Sequence, residues 1–278
     1  MRLSFMREKV IHCGPSFLSP QIYPYTSEQQ AVTRRGNRAR KEKVSPPKQK
    51  NLNDKRAKRY FVLLALSNFF KGDIALHLSY APEFLPETEE EAMKIVAKYL
   101  RRVAYLRKKQ GLPPLKYLCV TQVGRKLNGT HRLHHHILMN GGLDRDILEA
   151  LWWKEKANKT KKTQTVMYGW ANADRLQPNE KGITNIAAYM VQDSAGRKHW
   201  TQSQNLDKPW FKGTNDNKYS RRQLEKIAKL PMDCEEFRDF WEKQYAGRGG
   251  HDWELVDCER NYAEQSGWYF YLTMRRRE

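Results

Sequence analysis

Thr130-His131-Arg132-Leu133-His134-His135-His136-Ile137-Leu138-Met139-Asn140 holds half of the eight histidines of the chain, three of them consecutive. Leu133 before the triplet and Ile137, Leu138 and Met139 after it predict a buried strand. Side chains alternate along a strand, so His134 and His136 point to one face and His135 to the other. Two imidazoles on one face, roughly 7 Å apart along the backbone, can converge on one metal ion, and neutral imidazole is the commonest protein ligand for a metal. A tag-like run would sit at a terminus, whereas this one is central and flanked by apolar residues. The opposing reading, a basic surface strand with satisfied histidines, is the weaker of the two.

Working outward, residues 116–123 (KYLCVTQV) form a second strand, and a Gly- and Asn-containing turn over 124–129 makes the two strands an antiparallel hairpin. The second strand offers the Gln122 carbonyl oxygen as a third metal ligand; His131 and His77 are the alternatives. Imidazole with oxygen suits Mg²⁺ or Mn²⁺ and leaves Zn²⁺ open. Upstream, DIALHLSY (residues 73–80) alternates, with Ile74, Leu76, Leu78 and Tyr80 on one face. Thr88-x-x-Glu91 is a capping box. It opens a helix with a packing stripe of Met93, Val96, Leu100, Val103 and Ala104, closed by Gly111. Arg101, Arg102, Arg107, Lys108 and Lys109 suit the negative end of its dipole and read as a solvated face.

Downstream, the periodicities predict a helix over 143–156, a strand over 165–170 and a short helix over 182–193. That short helix packs through Ile183, Ile186, Ala187 and Met190 and carries Asn185, Tyr189 and Gln192 on another face. A phenol beside a two-histidine metal site can serve as a covalent nucleophile. Helices over 221–230 and 234–245 and a strand pair over 254–260 and 268–274 complete the chain. The class is α+β: a central antiparallel sheet with flanking helices.

The net charge is +20 in 278 residues. Such an excess predicts a polyanionic partner, most simply nucleic acid. It is unevenly placed: residues 1–59 carry 15 Lys and Arg against 4 Asp and Glu, and residues 211–278 carry 13 of each. The expected plan is a basic N-terminal arm (1–59), a central domain (60–210) and an accessory C-terminal segment (211–278). Four scattered cysteines without a CxxC pair argue against a zinc knuckle or a disulfide scaffold and point to a reducing cytoplasm. No apolar run approaches the ~18 residues of a membrane span, and the first ten residues lack the apolar core of a signal peptide. In the aromatic, basic run 197–210, Arg197, Lys198 and Lys208 suit phosphates, and His199, Trp200 and Trp210 suit stacking on unpaired bases.

The ordered set LHLSY (residues 76–80), the His134-His135-His136 strand and the helix carrying Tyr189 resembles the HUH endonucleases. The closer likeness is to the single-tyrosine rolling-circle replication initiators of bacterial plasmids and phages. LNDKRAKRYFVLLALSNFFKGD, RDILEALW and SQNLDKP are similar to the flanks of those initiators, so the resemblance covers most of residues 50–210. It implies an RRM-like palm and metal-dependent nicking and rejoining of single-stranded origin DNA through a 5′-phosphotyrosyl intermediate. His134, His136 and Gln122 would hold Mg²⁺ or Mn²⁺, and Tyr189 would be the nucleophile. Gln192, Arg197, Lys198, Trp200 and Lys208 would contact DNA. The implied setting is a bacterial cytoplasm, with host helicase and polymerase as partners. Two positions depart from the family pattern. Tyr189-Met190-Val191-Gln192 replaces the usual Tyr-x-x-Lys, and Gln122 stands where glutamate is common. These departures support an alternative, a non-catalytic relative that recognises an origin or operator.

Overall fold

The structure is a computed structural model and describes residues 4–34, 47–125, 131–155, 164–192 and 200–277. In chain order the elements are β1 (Ser4–Cys13), β2 (Phe17–Thr26), α1 (Ser27–Arg34), α2 (Pro47–Asn68), β3 (Ile74–Ser79), α3 (Glu89–Lys109), β4 (Tyr117–Arg125), β5 (His131–Met139), α4 (Arg145–Ala150), β6 (Trp153–Glu155), β7 (Val166–Met167), β8 (Ala171–Arg175), α5 (Thr184–Gln192), β9 (Thr201–Gln202), β10 (Thr214–Asn215), α6 (Arg221–Ala228), α7 (Glu235–Tyr245), β11 (Trp253–Ala263) and β12 (Gly267–Arg276). The fold is α+β, and every named strand pair among the described residues is antiparallel. Among the described residues no helix is long and apolar enough to cross a membrane. Two compact units form, residues 54–207 and residues 1–53 with 208–278.

In the 54–207 unit a five-stranded sheet runs in the order β8-β3-β5-β4-β9. Its core face carries Ile74, Leu76 and Leu78 from β3 and Tyr80 just after it, with Leu133, Ile137 and Met139 from β5, the alternation expected from the sequence. Helix α3 covers this face with Ala92, Val96, Tyr99, Leu100 and Val103. Thr88 caps α3, its hydroxyl accepting from the Glu91 amide at 3.2 Å; such a cap contributes about 1 kcal/mol. The predicted stripe is displaced in part: Ala104 is exposed, while Ala92 and Tyr99 are buried.

Two arginines expected on a solvated face also differ. Arg107 is buried and donates to the carbonyls of Pro113, Asn140 and Gly141 at 2.7–3.1 Å. Its five donors satisfy loop carbonyls that neither a helix nor a strand can pair. Arg102 lies 3.4 Å from the centroid of the Trp153 ring. The helix expected over 143–156 is only α4. The chain turns at Leu151 because Trp152 is drawn into the core against Tyr80, Tyr99 and His135, its indole donating to Ser79 O at 2.8 Å.

The second unit corrects the reading of residues 1–59 as an arm. β1 and β2 pair along ten residues inside a sheet of order β10-β1-β2-β12-β11. Met6, Val10, Leu18 and Ile22 pack with Phe270, Leu272 and Met274 beneath α6 and α7. The alternation in β1 is interrupted by Glu8 on the core side, buried and bound by Lys218 at 2.8 Å and by the Tyr245 hydroxyl at 2.7 Å. Pro20 and Pro24 likewise lie within β2, although proline is normally confined to strand edges. The C-terminal helices and strand pair fall where the sequence places them.

Candidate functional site

The polar face of the sheet in the 54–207 unit carries the histidines. Register sets His77 of β3 opposite His136 of β5, and His134 opposite Gln122 of β4. His135 points the other way and is fully buried, its Nε2 2.7 Å from the Tyr80 hydroxyl and its Nδ1 3.0 Å from the Thr121 hydroxyl. One ring nitrogen from each of His77, His134 and His136 lies within 4.8 Å of the others. His77, held open as an alternative in the sequence, thus joins the pair that the alternation identified. The side chain of His131 lies outside the described residues.

The cluster fits a divalent cation. His136 Nε2 is buried and has no hydrogen-bond partner among the described residues. Such an orphan is costly unless something occupies its lone pair. Burial, then the neighbouring His77 and His134, pushes the His136 pKa down to about 3. Burial, then the neighbouring His134, lowers His77, and burial, opposed by the Arg132 carbonyl, lowers His134. All three rings are therefore neutral near pH 7, the form that binds metal. His134 Nδ1 lies 3.3 Å from the Arg132 carbonyl; an ion held at Nε2 would leave the ring proton on Nδ1, facing that carbonyl.

Gln122 has a double contact. Its Oε1 is 3.1 Å from His134 Nε2, and its Nε2 donates to Met190 O at 2.9 Å and Tyr189 O at 3.3 Å. Carbonyls only accept, so they fix which end of the amide faces the histidines. About 3 Å is also the separation of two ligands that each sit roughly 2.1 Å from one ion. Gln122 therefore reaches toward the histidines with one end and holds the last turn of α5 with the other. A glutamate could not donate to those carbonyls.

Helix α5 buries Ala187, Met190 and Val191 and leaves Tyr189 exposed beside the histidines, its ring centroid 5.6 Å from that of His136. Gln192 is exposed, and its carbonyl accepts from Lys58 Nζ at 2.5 Å. Lys58 is a cation one turn from Tyr189 that no local pattern announced, because it comes from α2, far away in sequence. On the other side of the cluster, Trp170 meets His77 in a T-shaped contact, ring centroids 5.9 Å apart, and is 61% exposed. The sequence reading of 165–170 as one strand is corrected here. Only β7 (Val166–Met167) is strand, and residues 168–170 then run beside the end of β3, with Ser79 N donating to Trp170 O at 2.9 Å and Ala81 N to Tyr168 O at 2.8 Å. A Cβ on Gly169 would lie 2.5 Å from Ser79 O, so the approach needs glycine.

Arg197, Lys198 and His199 lie outside the described residues. Trp200 is half-buried, edge-on to Phe61 at 5.3 Å. Lys208 is exposed and Trp210 is stacked on His12 at 4.3 Å; both belong to the other unit. Compared with protein families, characterised proteins and solved structures, the chain matches none.

Proposed function

We propose that the chain is a metal-dependent nicking and rejoining enzyme for single-stranded DNA, of the HUH type, which initiates rolling-circle replication of a plasmid or phage in a bacterial cytoplasm. The observation that carries this reading is an exposed phenol, Tyr189, set beside three neutral imidazoles, one of which has a buried, unpartnered nitrogen. His77, His134 and His136, with the Gln122 carbonyl oxygen, would hold Mg²⁺ or Mn²⁺. Bound there, the ion would draw electron density from a non-bridging phosphate oxygen.

The residues of the chain do the rest. Gln122 orients α5, so that the Tyr189 oxygen can attack phosphorus. A phosphorus–oxygen bond to Tyr189 forms as the bond to the 3′ oxygen breaks, and the phenolic proton passes through solvent to that oxygen. One phosphodiester replaces another, so rejoining is the same exchange run backwards and needs no nucleotide cofactor. Lys58 supplies positive charge near the phosphate, where the family pattern would have its lysine at position 192.

The test is incubation with a pool of single-stranded oligonucleotides and Mn²⁺, resolved on a denaturing gel. A covalent adduct that requires metal and is lost in Tyr189→Phe, with oligonucleotide binding retained, is expected. Tight binding without an adduct in either metal would leave the alternative, a binding protein that recognises DNA without cutting it.

A further inference from the structure

We propose that Trp170 is the stacking platform for the base just 5′ of the cut, the nucleotide that keeps the 3′-OH. The inference rests on the nicking reading and adds a substrate subsite to it.

Three observations carry it. First, Trp170 is 61% exposed although its backbone is firmly held: Ser79 donates to Trp170 O through both its amide, at 2.9 Å, and its hydroxyl, at 3.2 Å. The glycine before it permits an approach that no Cβ would allow. Exposing a large indole on a rigid backbone leaves apolar area in water, and an aromatic face presented in this way is what unpaired bases stack on. Second, the ring stands against the candidate metal cluster, in a T-shaped contact with His77. Third, sheet order separates Trp170 from Tyr189, the exposed aromatics that contact the cluster. Trp170 precedes β8, outside β3 with His77; then come β5 with His134 and His136, β4 with Gln122, and Tyr189 of α5, which Gln122 and His136 contact. The cluster lies between Tyr189 and Trp170.

Substitution at phosphorus places the entering and leaving oxygens roughly in line. Tyr189 enters from the α5 side, so the 3′ oxygen departs toward the β8 side, where Trp170 stands. The base on that side belongs to the upstream nucleotide. Stacking it there holds the 3′-OH strand after cleavage, ready for the reverse exchange, and tolerates any base because every base has a π-face.

The experiment uses the full chain. The cut site is mapped from the adduct formed with the oligonucleotide pool. Two versions of the cleaved oligonucleotide are then made, lacking the base just 5′ or just 3′ of the cut. Binding is read by fluorescence anisotropy in EDTA, where no cleavage occurs. Trp170→Ala should weaken binding of the intact oligonucleotide about tenfold, and Trp170→Phe should restore most of it. Removing the 5′ base should weaken the wild type and leave no further penalty for Trp170→Ala. Removing the 3′ base should leave that penalty in full. An adduct from the wild type together with unchanged binding by Trp170→Ala, or a penalty that vanishes only without the 3′ base, would overturn the platform alone. No adduct from the wild type with any oligonucleotide would remove the nicking reading and this polarity together.

Discussion

His135 differs from its two neighbours although all three share one chemistry. His134 and His136 face the polar side of the sheet, while His135 is fully buried between Tyr80 and Thr121 with both ring nitrogens engaged. Burial, reinforced by the nearby imidazoles, pushes its pKa down to about 3, against about 6.5 in an unfolded chain. A base whose folded pKa is depressed contributes stability in full above the unfolded value and loses it as the pH falls toward the folded one. Unfolding by urea in EDTA should therefore show roughly 2 kcal/mol lost between pH 7.5 and pH 5 from this residue. His135→Gln keeps hydrogen-bonding capacity but does not titrate, so its stability should fall less steeply over that range. An equal slope in the variant would mean that the proton goes elsewhere.

At the scale of elements, the link that matters joins β4 to α5. Gln122 donates to two carbonyls of α5, those of Tyr189 and Met190. Gln122→Glu would place a carboxylate against those oxygens, losing two hydrogen bonds and adding repulsion. A loss of about 1–3 kcal/mol is expected, together with a lower adduct yield, even though a carboxylate is the stronger metal ligand. Urea unfolding and the adduct assay check both parts; a variant as stable as the wild type and more active would show that α5 is held by other means. Helix α3 presents the opposite case. Its start is written locally in Thr88 and Glu91 and could be read directly. The burial of Arg107 could not, because its partners Asn140 and Gly141 reach it only after β5 has paired.

For the whole molecule, the terminal segments form a folded unit of their own. β2 lies between β1 and β12, and the hairpin supplies Met6, Val10, Leu18 and Ile22 to the core beneath α6 and α7. Deleting residues 1–26 should therefore strip one side of β12 and open that core. Hydrogen exchange should show the amides of β11 and β12 losing protection, and the truncated chain should tend to aggregate through its bare edge strand. If the deletion left that protection intact, residues 1–26 would belong to a dispensable arm, as the sequence reading of 1–59 expected.

Which way side chains point is legible from the residue pattern alone. The alternation around His134, His135 and His136, the Ile74–Tyr80 stripe and the exposed position of Tyr189 on α5 all follow from periods of two and 3.6 residues. Those periods are set by the backbone and need no tertiary information. Tertiary structure decided which side chains meet. His77 joins His134 and His136 only through the β3–β5 register, Gln122 grips α5 only across an inter-element contact, and Lys58 reaches Gln192 from a distant helix. The β1–β2 hairpin was hidden because a buried glutamate broke its alternation, and that glutamate is tolerable only once Lys218 and Tyr245 have folded around it.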